Sequence, residues 1–383
     1  MKLSLPVGDG DLVTWRPSGT PPVAPEPGGF TSRVAYAATH VVPDPLREQH
    51  PGRPPIIDWD TTISIRQHLW ALGLGVAEAM DTAQRGSGVA WDTARELIRR
   101  TASAAEGPAV YGAATDHLAP GGVFSLDEIT DAYQEQVAYI EGQGGQAIVM
   151  ASRHLASMAQ SAEDYTSVYH DVISSASHPV MIHWLGTAFD PSLQGYWGSD
   201  DPWAAAETVL QLAKSHPHQV TGVKLSVLDT GLEIDLRRRL PEGVALFTGD
   251  DLDYVELIRG DDTGHSDALL GVLGPIAPAA CVAFQALDRN DDEGYRSALE
   301  PTVPLARHMF SEPTFDYKTG IAFLAYLNGL QGHFRMVAGA ESARSLPHLA
   351  RILVLADEAG LLVDPELAIE RMRPVLEVGG IHS

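Results

Sequence analysis

The stretch Gln219–Asp229, QVTGVKLSVLD, places a single lysine, Lys224, at the end of a short apolar run. Val220, Val223 and Val227 are β-branched, and such a run indicates a buried parallel strand with the lysine at its carboxyl end. Burying a charged amine is costly, so the amine must be paired, reach solvent or be kept neutral for chemistry. This lysine is the first candidate for a reactive group.

The same alternation of short apolar runs with longer helical segments repeats along the chain from Arg33 onward. The strand-like runs cover residues 33–42, 75–80, 108–115, 146–152, 178–186, 220–227, 244–251 and 268–278. The connections are too long for hairpins, so the spacing predicts an α/β fold, a (β/α)8 TIM barrel. A doubly wound sheet is the alternative, but the chain lacks the glycine-rich phosphate loop typical of it.

The two ends of the chain differ from this repeat. Residues 1–30 predict a short hairpin followed by a Pro/Gly linker. Residues 305–338 and 347–375 have the leucine-rich faces of helices. We therefore expect an N-terminal piece (1–30), a barrel (31–300) and a helical C-terminal extension (301–383) packed against the barrel.

Composition narrows the class of protein. The chain has 383 residues, is 44% hydrophobic and carries a formal net charge of −24, which argues against nucleic acid or a membrane surface as a partner. The first residues lack a signal-peptide core, and no apolar run has the length of a membrane span. The single cysteine, Cys281, leaves no internal disulfide and no thiolate metal cluster. We expect a cytoplasmic protein that binds a small molecule.

Titratable side chains stand at the ends of most predicted strands. They are His40, Asp81 with Thr82, Asp116 with His117, Arg153 with His154, His183, Lys224, and Asp250 with Asp251. Each alone has an ordinary structural explanation, such as a helix cap or a buried hydrogen bond. Because barrel enzymes carry their chemistry at the carboxyl ends of the strands, the whole set predicts an active site there.

Four segments resemble one known family, the dihydrodipicolinate synthase and N-acetylneuraminate lyase family of class I aldolases. QVTGVKLSVLD resembles its lysine strand, G-[IV]-K-x-[SA], and FTGDD at Phe247–Asp251 resembles its SGDD-type seventh strand. RGDDTGHSDALLGVLGPIAP (259–278) resembles its eighth strand, and HMFSEPTFDYKTGIAFLAYLNGL (308–330) its C-terminal segment. The resemblance covers Arg33 to Met336 as a divergent branch, and the order of the segments is its strongest feature.

The resemblance implies a Schiff-base lyase and a homo-oligomer. We expect neither a cofactor nor a metal ion. Lys224 would attack a substrate carbonyl and form an imine that acts as electron sink. His183 stands at the position of the family's proton-shuttling tyrosine, and a histidine can do general acid–base work near neutral pH.

The chain departs from the family where that family binds a keto-acid carboxylate. The family's G-T-T-G-E loop reads Met80-Asp81-Thr82-Ala83-Gln84 here, so only Thr82 is kept, and Ala188 replaces an arginine. Asp81 would repel a carboxylate, so we expect a neutral carbonyl-containing sugar derivative rather than pyruvate. The expected substrate-binding residues are Asp81, Thr82, Asp116, Arg153, His154, Gly249 and Asp250.

Two other functions stay open. One is a divalent-metal-dependent sugar isomerase, epimerase or hydro-lyase on the same barrel. Its ligands would be His154, His183, Asp81, Asp116 and His117, although no compact ligand motif supports them. The other is a non-catalytic sugar-binding barrel, against which the retained Lys224 counts.

Overall fold

The computed structural model of the chain describes residues 2–50 and 53–382. Its centre is a closed barrel of eight parallel strands in the order β10-β3-β4-β5-β6-β7-β8-β9, which confirms the predicted TIM barrel. The strands are β1 (Leu3–Pro6), β2 (Leu12–Trp15), β3 (Ala35–Ala38), β4 (Gly75–Glu78), β5 (Ala109–Ala113), β6 (Gln146–Val149), β7 (Val180–Leu185), β8 (Val220–Ser226), β9 (Ala245–Thr248) and β10 (Asp267–Leu270).

Helices follow each barrel strand and then form the C-terminal extension. Those around the barrel are α1 (Trp59–Ala71), α2 (Trp91–Ser103), α3 (Leu126–Gly142), α4 (Arg153–Met158), α5 (Ala162–Ser175), α6 (Pro202–Ser215), α7 (Thr230–Arg239), α8 (Tyr254–Arg259) and α9 (Ala277–Asp288). α10 (Asp292–Leu299) comes next, and the helices of the extension are α11 (Val303–Met309), α12 (Tyr317–Leu327), α13 (Leu346–Glu358) and α14 (Pro365–Val378). Ser125 and Glu128 cap α3 reciprocally, as the sequence predicts.

Alternation along each strand separates the two faces of the barrel wall. Val223 and Leu225 of β8 face outward and pack with the surrounding helices, so the intervening Lys224 points into the barrel. The inside is filled by a small apolar cluster formed by Ala38, Ala77, Met80, Val110, Ile148, Met181, Phe247 and Leu269. This packing makes the barrel a solid support for groups near its carboxyl end.

The N-terminal hairpin is present and packs against α13 and α14. β1 and β2 pair antiparallel, with Leu3 opposite Trp15. Leu3 and Leu5 are buried in the cluster that also contains the apolar faces of α13 and α14. The hairpin therefore belongs to the same hydrophobic core as the C-terminal extension.

Two predicted segments are shorter than the sequence suggested. The eighth strand ends at Leu270, and α9 begins at Ala277 with Pro278 in its first turn, a position that proline favours. The helical stretch predicted for 305–338 is interrupted between α11 and α12, because Pro313 has no N–H to continue the helix, and it ends at Leu327 rather than at 338. This interruption brings Tyr317 to the start of α12. Within the described residues, no helix has both the length and the apolar character needed to cross a bilayer.

Candidate active site at the barrel mouth

Lys224 lies on the inner wall of the barrel between two neighbouring strands. It is level with His183 of β7 and Phe247 of β9, and it is only 5% exposed. Burial lowers the pKa of its amine, an effect that the nearby carboxylates of Asp81 and Asp251 partly oppose. No residue in 2–50 or 53–382 forms a hydrogen bond or a close ion pair with Lys224 Nζ. The lysine side chain is therefore largely buried, its amine forms no hydrogen bond or close ion pair with the described residues, and burial makes it easier to deprotonate than a lysine in water.

Gly249 provides the space that the lysine side chain needs. A Cβ at this position would lie 2.0 Å from Ser226 Oγ and 3.1 Å from Lys224 Cε. Any larger residue would force both side chains to move. The glycine of the FTGDD motif thus shapes the wall beside the lysine, while its predicted contact with a substrate stays a prediction.

His183 is the imidazole adjacent to the lysine. It is 1% exposed, and its Nε2 lies 3.2 Å from Ser226 Oγ. Its Nδ1 has no hydrogen-bond partner within the described part of the chain. Burial, with a contribution from Lys224, holds the pKa of His183 well below its usual value. The ring is therefore neutral at physiological pH and has one nitrogen free to exchange a proton.

Asp81 and Thr82 come together with a tyrosine from the C-terminal extension. Both follow β4 in a single 3-10 turn, Asp81–Ala83. Tyr317 Oη donates to Asp81 Oδ2 at 2.6 Å and also lies 2.6 Å from Thr82 Oγ1. The sequence did not indicate Tyr317 as a site residue, because 236 positions separate it from Asp81. The only local signal near it is the helix interruption at Pro313.

The two aspartates after β9 have different environments. Asp250 Oδ1 accepts from the backbone N–H groups of Leu252 and Asp253, so this carboxylate holds the loop. Asp251 Oδ1 accepts from Val272 N at 2.8 Å, and burial raises its pKa well above the usual value. Because Asp251 interacts electrostatically with Lys224, it is a better candidate for contact with a substrate than the predicted Asp250.

Asp116 is engaged by Arg85. Arg85 Nε and Nη2 donate to its two oxygens at 3.0 and 2.7 Å, and Gln136 Nε2 donates to Oδ1 at 3.1 Å. Burial alone would raise the pKa of Asp116, but the Arg85 charge and these hydrogen bonds bring it to about 2. Gln136 also contacts Nδ1 of the adjacent His117. This network fixes the end of β5.

The remaining predicted side chains also have partners within the protein. His154 uses Nδ1 with Thr115 Oγ1 at 2.9 Å and Nε2 with Ala119 O at 3.2 Å. Arg153 forms an ion pair with Asp190 at 2.6 Å while 58% of its side chain is exposed. His40 Nε2 lies 2.6 Å from Gln331 Oε1. A role for Arg153, His154 or Asp116 in substrate binding stays a prediction, and each would have to act beside these contacts.

The side chains named for a metal site do not come together. In residues 2–50 and 53–382, no group of three or more His, Cys, Asp or Glu side chains is placed to hold a shared ion. His154 and Asp116 already use their ligating atoms in the contacts described above. The geometry therefore gives the metal-dependent alternative no support.

Comparison with protein families places the chain in one of them. The family model described as "Protein of unknown function (DUF993)" matches residues 3–381. The chain belongs to this family. A search of curated proteins finds no match to the sequence.

Comparison with solved structures shows the dihydrodipicolinate synthase fold, as the four sequence segments predicted. A prophage protein of the dihydrodipicolinic acid synthase family from E. coli K12, solved in complex with pyruvate, aligns with a TM-score of 0.65 at 15% identity, covering 85% of this chain and 99% of its own. Dihydrodipicolinate synthase from Oceanobacillus iheyensis aligns with a TM-score of 0.58 at 14% identity over 78% and 88% of the two chains. The enzyme from Aquifex aeolicus aligns with a TM-score of 0.58 at 13% identity over 91% and 98%.

Proposed function

We propose that this member of the DUF993 family is a class I aldolase-like lyase in which Lys224 forms an imine with a neutral carbonyl-containing sugar derivative. The observation that carries the proposal is the buried amine of Lys224, which has neither a hydrogen bond nor a close ion pair among the described residues. A structural lysine would be expected to compensate its burial with a partner. An amine that reacts with a carbonyl must instead be free and partly deprotonated.

The imine supplies the electron sink for the reaction. The neutral amine attacks the carbonyl carbon, one amine proton passes to the carbonyl oxygen, and a further proton from solvent lets that oxygen leave as water. The resulting iminium accepts the electron pair of the carbon–carbon bond that breaks. His183, level with Lys224 on the adjacent strand, is assigned the proton transfers of imine formation. Its unpartnered Nδ1 is the atom assigned to take a proton from the attacking amine and return one to the departing oxygen.

The charges around Lys224 favour a neutral substrate over a keto acid. Asp81 stands where the dihydrodipicolinate synthase resemblance places a carboxylate-binding loop, and Arg153 is already paired with Asp190. Two like charges about 4 Å apart repel by about 4 kcal/mol at an effective dielectric near 20, a roughly thousandfold loss of affinity. One structural neighbour was solved in complex with pyruvate, and we propose that this chain discriminates against that compound.

Reductive trapping tests the nucleophile and the substrate class together. The protein is incubated with borohydride and either dihydroxyacetone, a small neutral keto-sugar, or pyruvate, and the adduct is mapped by mass spectrometry. The chain has four lysines, Lys2, Lys214, Lys224 and Lys318, so the assignment is direct. We expect dihydroxyacetone on Lys224, no adduct in Lys224→Ala, and full labelling in the exposed control Lys214→Ala.

Lys318 is the internal comparison for this experiment. Burial lowers its pKa as well, but its Nζ donates to Phe315 O at 2.8 Å and lies 4.8 Å from the ring centre of Tyr317. Labelling of Lys318 in place of Lys224 would disprove the assignment of the nucleophile. Trapping of pyruvate at sub-millimolar concentration, as efficient as that of dihydroxyacetone, would disprove the assignment of the substrate class.

A further inference from the structure

Tyr317 reaches the active site from outside the barrel and is held rigidly there. Its ring stacks on Phe310 with centroids 4.4 Å apart and an interplanar angle of 16°. Phe189 meets it edge-on at 6.0 Å. The tyrosine is 2% exposed, and its hydroxyl is the polar atom that the C-terminal extension places beside Asp81 and Thr82. A ring fixed in this way presents its oxygen in one position, which proton transfer requires.

The number of protons fixes the direction of these hydrogen bonds. A tyrosine hydroxyl has one proton, and Tyr317 donates it to Asp81 Oδ2. The contact of 2.6 Å between Tyr317 Oη and Thr82 Oγ1 must then be donated by Thr82. The remaining lone pair of Thr82 Oγ1 can accept a proton from a further group. The chain of bonds thus runs from Thr82 through Tyr317 to the Asp81 carboxylate.

The environment prevents the tyrosine from being the final proton acceptor. Burial, together with the Asp81 charge, raises the pKa of Tyr317 well above its usual value. A stable tyrosinate is therefore disfavoured, and the hydroxyl can only receive one proton as it gives up another. The chain of hydrogen bonds ends at the carboxylate of Asp81, which is the group assigned to receive the proton.

We propose that Thr82, Tyr317 and Asp81 form a proton relay that withdraws a proton from the substrate after the imine has formed on Lys224. This inference rests on the proposed function and adds catalytic roles for Asp81 and for a residue of the C-terminal extension. Asp81 and Asp251 both interact electrostatically with Lys224 and with Tyr317, so the relay and the nucleophile share one site.

The proposed step balances in atoms and charge. In cleavage, the proton of the substrate hydroxyl passes to Thr82 Oγ1, that of Thr82 to Tyr317 Oη, and that of Tyr317 to Asp81 Oδ2. The electron pair left on the substrate oxygen forms a C=O bond, and the carbon–carbon bond breaks. The electron pair of that bond converts the iminium to a neutral enamine. With a ketone that cannot be cleaved, the same relay removes a proton from the carbon next to the imine.

The relay and His183 serve different proton-transfer steps. His183 contacts Ser226 on the Lys224 strand, whereas the relay lies at the end of β4 and the start of α12. His183 is assigned to imine formation and the relay to the proton transfer that follows. Loss of the relay should therefore leave imine formation intact.

Two measurements with one probe separate these steps. Borohydride trapping of dihydroxyacetone on Lys224 reports the imine, and exchange of its C–H protons in D₂O, followed by proton NMR, reports the later transfer. For Tyr317→Phe, which keeps the ring and removes only the hydroxyl, we expect trapping within a few-fold of the parent protein and exchange slower by about 10²- to 10⁴-fold.

Asp81→Asn and the double variant test whether the residues act as one unit. Asp81→Asn should slow exchange to a similar extent while trapping persists, and the double variant should be little slower than either single variant. The control is Tyr295→Phe, which removes a buried hydroxyl that donates to Val255 O at 2.7 Å. It should leave trapping and exchange unchanged.

The outcomes distinguish the relay from the proposed function. Normal trapping with undiminished exchange in Tyr317→Phe overturns the relay alone, as does full additivity of the two substitutions. Loss of trapping in a folded Tyr317→Phe protein also overturns it, because the hydroxyl would then act in imine formation. Absence of any trapping in the parent protein overturns both the proposed function and the relay.

Discussion

Two buried basic residues of this protein, Arg66 and Lys224, differ in the hydrogen-bond and ion-pair partners of their charged groups. Arg66 is fully buried and forms a double hydrogen-bonded ion pair with Glu78, at 2.8 and 3.0 Å. Its Nη1 donates to the carbonyl oxygens of His40 and Thr62. Lys224, almost as deeply buried, has no comparable partner in the described part of the chain. Every guanidinium nitrogen of Arg66 donates a hydrogen bond, whereas Lys224 Nζ donates none to the described residues.

Under the proposed function, the difference separates a structural charge from the proposed nucleophile. A buried ion pair is tolerated only when its geometry is good and its remaining polar atoms are satisfied, as they are around Arg66. An amine without such partners is expected to lower its pKa instead, as burial does for Lys224. We infer that a buried basic group without hydrogen-bond or close ion-pair partners, rather than burial alone, identifies the proposed reactive residue in this barrel.

Removing the reactive charge should have the largest effect on chemistry and little on folding. For Lys224→Ala we expect the loss of several orders of magnitude in turnover, since no neighbouring group replaces a covalent nucleophile. The midpoint of urea unfolding should change little, because Lys224 Nζ forms no hydrogen bond or close ion pair with the described residues that the substitution would break. Retained turnover, or strong destabilisation, would show that Lys224 is a structural residue like Arg66.

Substitution of the imidazole beside the lysine should have the next largest effect. His183→Phe keeps a ring in the barrel and should lower the rate of imine trapping by about 10²- to 10⁴-fold. The pH–rate profile should also change, because a proton-transfer group has been removed. His178→Phe, at an exposed position before β7, is the control. An unchanged pH–rate profile in His183→Phe would assign the histidine to packing.

Breaking the Arg66–Glu78 ion pair should lower stability and preserve imine formation. This is the opposite of the result expected for Lys224→Ala. Glu78→Gln leaves Arg66 buried without a counter-charge and should lower the free energy of unfolding by about 3–5 kcal/mol. The imine should still be trapped on Lys224 under conditions where the variant is folded. Equilibrium unfolding in urea measures the loss, and a cost below about 1 kcal/mol would mean that Arg66 reaches water.

An exposed ion-pair cluster gives the smallest expected effect. Glu96 contacts Arg99 and Arg100, both at 2.7 Å, with 34% of its side chain exposed. Hydrogen bonding from Arg99 lowers the pKa of Glu96 to about 2. Because solvent screens such pairs, Glu96→Gln should cost only about 0.2–1 kcal/mol at neutral pH.

The pH dependence of that variant follows from the direction of the shift. A carboxyl group whose pKa is lowered on folding stabilises the folded state above its unfolded pKa, and this contribution is lost as pH falls towards about 2. The difference between parent and Glu96→Gln should therefore shrink between pH 5 and pH 2. A constant difference over that range would assign it to something other than the charge.

Several features of the protein could be predicted from local sequence. The period of apolar residues predicts eight strands and their helices, since burial of a parallel strand on both faces requires continuous apolar runs. The position of Lys224 in QVTGVKLSVLD predicts an inward amine at a strand end. Ser125 and Glu128 predict the cap of α3. In each case the determining interactions lie within a few residues of one another in the chain.

The partners of the site residues were decided only by the tertiary structure. Nothing near Asp81 indicates that Tyr317 will donate to it, and nothing near Asp116 indicates that Arg85 will bind both of its oxygens. Strand spacing placed Asp250 and Asp251 together, but only the path of the loop brought Asp250 to its own backbone and Asp251 to Val272 N, within electrostatic range of Lys224. A strand pattern specifies which face a residue occupies, whereas a hydrogen bond depends on positions accurate to tenths of an ångström, and those follow from the packing of distant segments.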